Sequence, residues 1–222
     1  MKIIKYYSVA CLIFIFSTTV NALTKDDERW LNFEDNNDTS EVNEGSLVFI
    51  EKPEKNEVLY SINHLTINQS SIDDGWVKLH QCYRHLDILS ATEITYQYNF
   101  IKDLKIVSKK NIKSAITKKQ SIALTDIKAE AEICVSATVR IFYQNPDKTF
   151  SLVNGPYHRR FLDGFYPYHV SLIISYPGKN LKFLSTIPEQ QNGFSVEKSV
   201  NKISIDTYFE GILNTEVRFK LK

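Results

Sequence analysis

The sequence predicts an all-β, sandwich-like fold, and three observations carry that reading. Apolar residues recur with period two in run after run, the side-chain period of a strand with one buried face. Those runs are rich in β-branched and aromatic residues, and Gly, Pro, Asn and Asp separate them. Hydrophobic residues make up 43% of the chain and aromatics 12%, enough to fill the space between two sheets.

Taken in order, the chain opens with MKIIKYYSVACLIFIFSTTVNA. Lys2 and Lys5 give a positive start, Val9 to Phe16 are unbroken apolar residues, and Val20-Asn21-Ala22 suits a signal peptidase. Residues 1–22 are expected to be a signal peptide cleaved after Ala22, with a periplasmic or extracellular destination. The apolar run is about half the ~20 residues of a spanning helix, and no later segment is long enough, so an integral membrane protein is not expected. Residues 23–44 carry eight acids and two bases and read as a flexible acidic lead, with Trp30, Leu31 and Phe33 as its apolar exceptions.

From Gly45 the strand pattern takes over. Segments 46–51 and 57–67, including VLYSI at 58–62, open a first β unit over 45–150. ITYQY at 94–98 follows, and then a lysine-rich stretch at 102–119 that reads as an edge strand defended by charge. Residues 110–128 fit strand or helix spacing and are assigned to strand. In EICVSATVRIFY, Ile133, Val135, Ala137, Val139, Ile141 and Tyr143 share one face. A second unit over 151–222 contains HVSLIISY, with Val170, Leu172, Ile174 and Tyr176 on one face. It also contains ISIDTYF at 203–209, and EVRFKLK, with Val217, Phe219 and Leu221 alternating with charges.

An internal echo links the two units. Arg84-His85-Leu86-Asp87 matches Arg160-Phe161-Leu162-Asp163, and Lys102 to Ser108 matches Lys179 to Ser185. Glu132…Val139-Arg140 matches Glu210…Val217-Arg218. The echo suggests a duplication of 80–144 and 157–222, two similar antiparallel β units packed together. In that case Arg84 and Asp87 form a structural corner, pairing or capping locally in both copies.

Cleavage leaves Cys82 and Cys134, and an exported chain with two cysteines is expected to bridge them. HQCYRHLD at 80–87 admits a second chemistry. His80, Cys82 and His85, with His169 as a fourth ligand, form a zinc or copper set if Cys82 stays a thiolate. Finger-like second pairs are absent, so the bridged corner is the favoured reading and no cofactor is expected.

The expected binding surface is GPYHRRFLDGFYPYH at 155–169. Its Gly/Pro density makes it a loop, and loops held by a rigid sheet carry recognition. Arg159 and Arg160 offer planar donor forks to a carboxylate or phosphate. Tyr157, Tyr166 and Tyr168 offer rings, and His158, Asp163 and His169 add titratable groups. The competing reading is a crossover whose aromatics fill the core and whose Arg160 pairs with Asp163.

After cleavage the formal charge is −1, with +5 on the body, so no field favours nucleic acid. There is no G-x-S-x-G, H-E-x-x-H, Walker or dinucleotide glycine pattern. The expectation is an exported, soluble module of the envelope or periplasm, leaning to binding or accessory work over catalysis. Its partner would be a protein or a small anionic or aromatic ligand.

Overall fold

The computed structural model describes residues 43–54 and 58–222. The expected signal peptide and nearly all of the acidic lead lie outside the described residues. In chain order the strands are β1 (Val48–Phe49), β2 (Tyr60–Thr66), β3 (Trp76–Arg84), β4 (Ala91–Thr95), β5 (Ile101–Thr117), β6 (Ser121–Arg140), β7 (Phe142–Gln144) and β8 (Phe150–Tyr157). They continue with β9 (Arg160–Phe161), β10 (Gly164–Phe165), β11 (Tyr168–Ser175), β12 (Leu181–Ile187), β13 (Phe194–Ser199), β14 (Lys202–Glu210) and β15 (Leu213–Leu221). One helical turn, α1 (Ser71–Asp74), joins β2 to β3. Among the described residues no helix is long and apolar enough to cross a membrane.

The all-β, sandwich-like expectation holds. A nine-stranded sheet runs β1-β14-β11-β2-β3-β6-β4, with β13 also on β14 and β5 also on β6. A four-stranded sheet runs β12-β15-β8-β7, and β9 and β10 form a separate hairpin. The strands of 45–150 and 151–222 interleave. β2 pairs with β11 in parallel, a pairing the antiparallel expectation did not include, and β7 joins β8 and β15 in the smaller sheet.

The alternating faces explain this order. In β11, Val170, Leu172 and Ile174 are buried, as are Leu65 of β2, Val77 and Leu79 of β3, and Ile203, Ile205 and Phe209 of β14. Each such side chain contributes about 1.5–3 kcal/mol on burial. An aromatic layer lies in the core: Phe219 sits 6.0 Å from Phe142, 5.1 Å from Tyr176 and 6.4 Å from Phe183, centroid to centroid.

The phase of the 133–143 run breaks late. Ile133 to Val139 alternate inward as expected, but Tyr143 is exposed. The N–H groups of Ile141 and Phe142 both donate to the Gly75 carbonyl, at 3.2 Å each, where the chain leaves the large sheet for the small one. Phe142 therefore takes the buried side. At the chain's end Leu221 is likewise exposed, on the last residue of β15. The 94–98 strand is displaced too, ending at Thr95, and 110–128 is strand interrupted by the β5–β6 turn.

Among the described residues β5 pairs only with β6, and it carries three register shifts along its lysine-rich length. Bulges and lysines together make an edge hostile to further pairing. Lys110 meets Glu130 at 3.7 Å and Lys113 meets Asp126 at 3.2 Å, so part of the basic charge is answered within the hairpin.

Candidate functional site

The two stretches singled out by sequence meet in space. β3 continues through Arg84, whose side chain stays on the solvent face 3.9 Å from Glu132 of β6. His85 then turns the chain with φ of 53°, and Asp87 is presented toward the 155–169 loop. There Arg159 Nε donates to Asp87 Oδ2 at 3.1 Å and Nη2 donates to Oδ1 at 2.5 Å. The expected local Arg84–Asp87 corner does not form. Strand geometry keeps Arg84 on the sheet face, while the left-handed turn at His85 takes Asp87 away from it.

The second corner differs as well. Arg160 and Phe161 form β9, and Asp163 lies in the turn to β10. Asp163 accepts from the Tyr166 hydroxyl at 2.5 Å, and Arg160 stacks over Phe165 at 5.5 Å. Arg159 lies over both Phe161 (5.3 Å) and Tyr166 (5.6 Å), so its guanidinium is held by a carboxylate and by two rings. Leu162 projects fully exposed from the hairpin tip.

The ion pair forms part of the lining of a cleft of about 270 Å³. Leu86, Leu89, Ile94 and Phe161 supply apolar walls, and Tyr83, Tyr157 and Tyr168 supply the floor. Of the two roles open to the rings, stacking on a ligand or burial, Tyr157 and Tyr168 take burial and support the cleft from beneath. Extending the HVSLIISY alternation back by one residue puts Tyr168 in phase with Val170, which is the signal for its burial. Below the floor, Tyr98 donates to Asn154 Oδ1 at 2.6 Å, and Asn154 Nδ2 donates to the Tyr157 hydroxyl at 2.5 Å. Burial pushes the Tyr83, Tyr98, Tyr157 and Tyr168 phenols well up, so they stay neutral. Gly155 allows β8 to reach this point. It has φ of +121°, and a Cβ there would lie 2.8 Å from the Leu213 carbonyl oxygen.

The charges in the cleft cancel unevenly. Asp87 is neutralised by Arg159. Glu93 accepts from Ser121 at 2.5 Å and from Lys118 at 3.0 Å, and these bonds hold its carboxyl below the usual range. Arg160 is exposed, and no carboxylate is paired with it among the described residues. Beside it, His158 is half-buried. Burial first, and the Arg160 charge second, lower its pKa, which favours the neutral imidazole. His158 Nδ1 is buried with no hydrogen-bond partner among the described residues. Leu86, Leu89 and Ile94 were not singled out by sequence. Leu86 lies within the His-Asp stretch, Leu89 just after it, and Ile94 opens the ITYQY run, where it reads as an ordinary strand residue.

His169 belongs elsewhere. It lies on the solvent face of the large sheet, stacked between Tyr60 and Tyr208 with both ring separations at 3.9 Å. Its Nε2 meets the two Asp206 oxygens at 3.0 and 3.2 Å. Ser171 Oγ donates to Asp206, which leaves Tyr60 to donate to Ser171 at 3.0 Å. A serine nucleophile needs the imidazole between serine and carboxylate. Here the carboxylate is the hub, so the arrangement is not a hydrolytic triad. Burial acts to raise the Asp206 pKa, but the hydrogen bonds from His169 and Ser171 outweigh it and hold the carboxyl low.

The disulfide forms as expected. Cys82 and Cys134 face each other in the β3–β6 ladder with Cα atoms 4.1 Å apart, the close spacing of a non-hydrogen-bonded antiparallel pair. The alternative set of His80, Cys82 and His85 does not assemble among the described residues. The side chains whose ligand atoms lie within 4.8 Å of one another are His80, Cys82 and Cys134, without His85. His85 has left the strand, and His169 is committed to Asp206.

No protein-family model matches the chain, and no curated protein matches it. Its backbone is similar to that of the M1 zinc metallopeptidase from Deinococcus radiodurans, with a TM-score of 0.38 and 9% identity over 81% of this chain and 43% of that one. A mutant of that enzyme bound to a Tyr-Ser-Ala substrate gives the same TM-score and identity over 72% and 42%. So does a two-domain M1 zinc metallopeptidase mutant bound to L-tryptophan, over 81% and 44%. The chain spans less than half the length of these proteins, and a likeness at that level carries no argument about activity.

Proposed function

We propose that the chain is an exported binding or accessory module of the cell envelope or periplasm, non-enzymatic, whose recognition site is the cleft between 86–97 and 156–161. The observation that carries this reading is the Arg160 guanidinium, which lines an apolar cleft without a carboxylate partner among the described residues, beside a His158 whose buried Nδ1 has no partner among them either. A buried polar atom without a partner costs about 1–3 kcal/mol. An acidic group entering the cleft would pair with Arg160, and a turn of the His158 ring that brings Nδ1–H to the cleft surface would let the same group relieve that cost. The apolar walls then suit a hydrocarbon or aromatic body. The ligand class is an amphipathic anion: a small carboxylate or sulfonate on an apolar frame, or the corresponding side chain of a partner protein. The disulfide supports an oxidising destination.

The test uses the anionic fluorophore anilinonaphthalene sulfonate. It should bind the native chain with a blue-shifted, saturable signal. Arg160→Ala should weaken that binding roughly tenfold, the effect of losing about 1.4 kcal/mol, with an unchanged melting temperature. Equal binding by the variant removes the site from this cleft. A large fall in melting temperature makes Arg160 part of the scaffold.

A further inference from the structure

We propose that the solvent face of the large sheet carries a redox-gated metal site, in which Cys82, Cys134 and His80 bind a thiophilic d10 cation once the disulfide is reduced. The site is separate from the cleft and does not rest on the cleft's function. His80 and Cys82 stand two residues apart on β3 and so share one face, and the β3–β6 register places Cys134 opposite Cys82. All three ligand atoms lie within 4.8 Å of one another. His80 Nε2 is 3.6 Å from Cys82 Sγ. Zinc takes thiolate at about 2.3 Å and imidazole at about 2.0–2.1 Å in tetrahedral geometry, which sets sulfur and nitrogen roughly 3.6 Å apart. His80 Nε2 thus lies one ligand-to-ligand spacing from Cys82 Sγ even in the bridged form.

Only the sulfurs must move. Two thiolates on one tetrahedral ion lie roughly 3.8 Å apart by the same bond lengths. Cβ atoms in a directly opposed antiparallel pair are about 4.5–5.5 Å apart, and bridging draws them closer. Breaking the S–S bond lets both side chains turn outward without moving the strands. Three protein ligands leave the fourth position to solvent. His64 is paired with His80 in the β2–β3 register, ring centroids 6.3 Å apart, and lines the open groove beside the site.

The balance is explicit. A dithiol reductant gives two electrons and two protons to the disulfide, yielding two thiols and its own disulfide. The cation then displaces the two thiol protons and accepts lone pairs from both sulfurs and from His80 Nε2. The two thiolates cancel a dication. Metal and disulfide exclude each other, because both use the same sulfur lone pairs. The oxidised chain is the closed state of the site, and a reducing partner opens it. Thiolate and imidazole together suit Zn(II) or Cu(I) over harder cations.

The experiment uses the full chain, purified without an affinity tag and titrated with Co(II) before and after reduction by a phosphine under anaerobic conditions. The reduced chain should develop a thiolate-to-cobalt charge-transfer band and intense visible bands of tetrahedral type, saturating at a single equivalent. The oxidised chain should develop neither. His80→Ala should weaken the reduced site by roughly tenfold or more, since even an outer partner of a ligand is worth that much. Cys82→Ser should at least halve the charge-transfer band, and the Cys82→Ser/Cys134→Ser double variant should abolish it. Zn(II) and Cu(I) displace the cobalt in separate arms, and their order of affinity names the ion. As a second readout, the Zn(II)-loaded chain should re-form its disulfide more slowly, followed by intact mass after alkylation. Identical spectra for oxidised and reduced chains, an unchanged His80→Ala, or loss of the near-ultraviolet circular dichroism on reduction before any metal binds would each overturn the proposal.

Discussion

Removing the Arg159–Asp87 pair should cost stability that neither partner supplies alone. The pair is bidentate, with side chains 18% and 31% exposed. Exposed pairs are worth about 0–1 kcal/mol, and breaking a fully buried one costs about 3–5 kcal/mol. Two charge-assisted hydrogen bonds at partial burial fall between, so a coupling energy of about 2 kcal/mol is expected. Asp87→Ala, Arg159→Ala and the double variant form the cycle, read by urea denaturation. In a body of this size each kcal/mol shifts the melting temperature by about 2–4 °C, so Asp87→Ala should melt about 6 °C early. Arg159→Lys should recover less than half the loss, because an ammonium cannot fork and packs poorly over Phe161 and Tyr166. High salt should change the coupling little, since screening acts weakly on buried pairs. A coupling below about 0.5 kcal/mol would place the pair among ordinary surface contacts and refute the claim that it ties the two loops together.

Other outcomes follow from the same structure. The Cys82→Ser/Cys134→Ser double variant frees a loop with sequence separation 52, for which chain entropy gives about 4 kcal/mol; urea midpoints of native and double variant measure it. Phe219→Ala should cost about 3–5 kcal/mol by opening the aromatic layer, with a loss near 1 kcal/mol showing that the layer collapses to fill the space. Asp206 has a folded pKa below its unfolded one, so its contribution is present above about pH 4 and is lost as pH falls through the folded value. Asp206→Asn should therefore narrow the gap to wild type in acid, read as urea midpoints at about pH 7 and pH 3. Arg160→Ala should raise the His158 pKa, followed by imidazole proton shifts; an unmoved titration would show that the Arg160 charge does not reach it.

The alternation of apolar residues exposed most of the fold, because a strand with one buried face writes its period directly into the sequence. Val170, Leu172 and Ile174 were readable in that way, and the Cys82–Cys134 bridge was readable from the cysteine count beyond the expected signal peptide. Partners far apart in sequence were not readable. Asp87 and Arg159 are separated by 72 residues, and their alternatives, Arg84 and Asp163, stand nearby in the chain. Local pairing closes the shorter loop, but strand phase and a left-handed His85 decide which way each charge points. The parallel β2–β11 pairing was hidden for a related reason. Alternation fixes which face of a strand is buried but not which strand lies beside it.

The position of the cleft follows from that pairing. In register, Tyr60 at the start of β2 stands opposite Arg84 at the end of β3 and beside His169 near the start of β11. Three strand ends therefore coincide at one end of the large sheet, and the loops leaving them, 85–90 and 158–167, have to share that space. The pleat then divides adjacent residues between two environments. Tyr168 points inward and becomes the floor of the cleft, while His169 points outward and stacks between Tyr60 and Tyr208. Because side chains alternate, the cleft and the Asp206 group are held by the same backbone yet face opposite sides of it. A change that shifts β11 by one residue would exchange the two faces and destroy both. Substitutions confined to either face should leave the other intact. His169→Ala should thus spare the anion binding proposed for the cleft, and a loss of that binding would mean that the two faces of β11 are coupled through the strand itself.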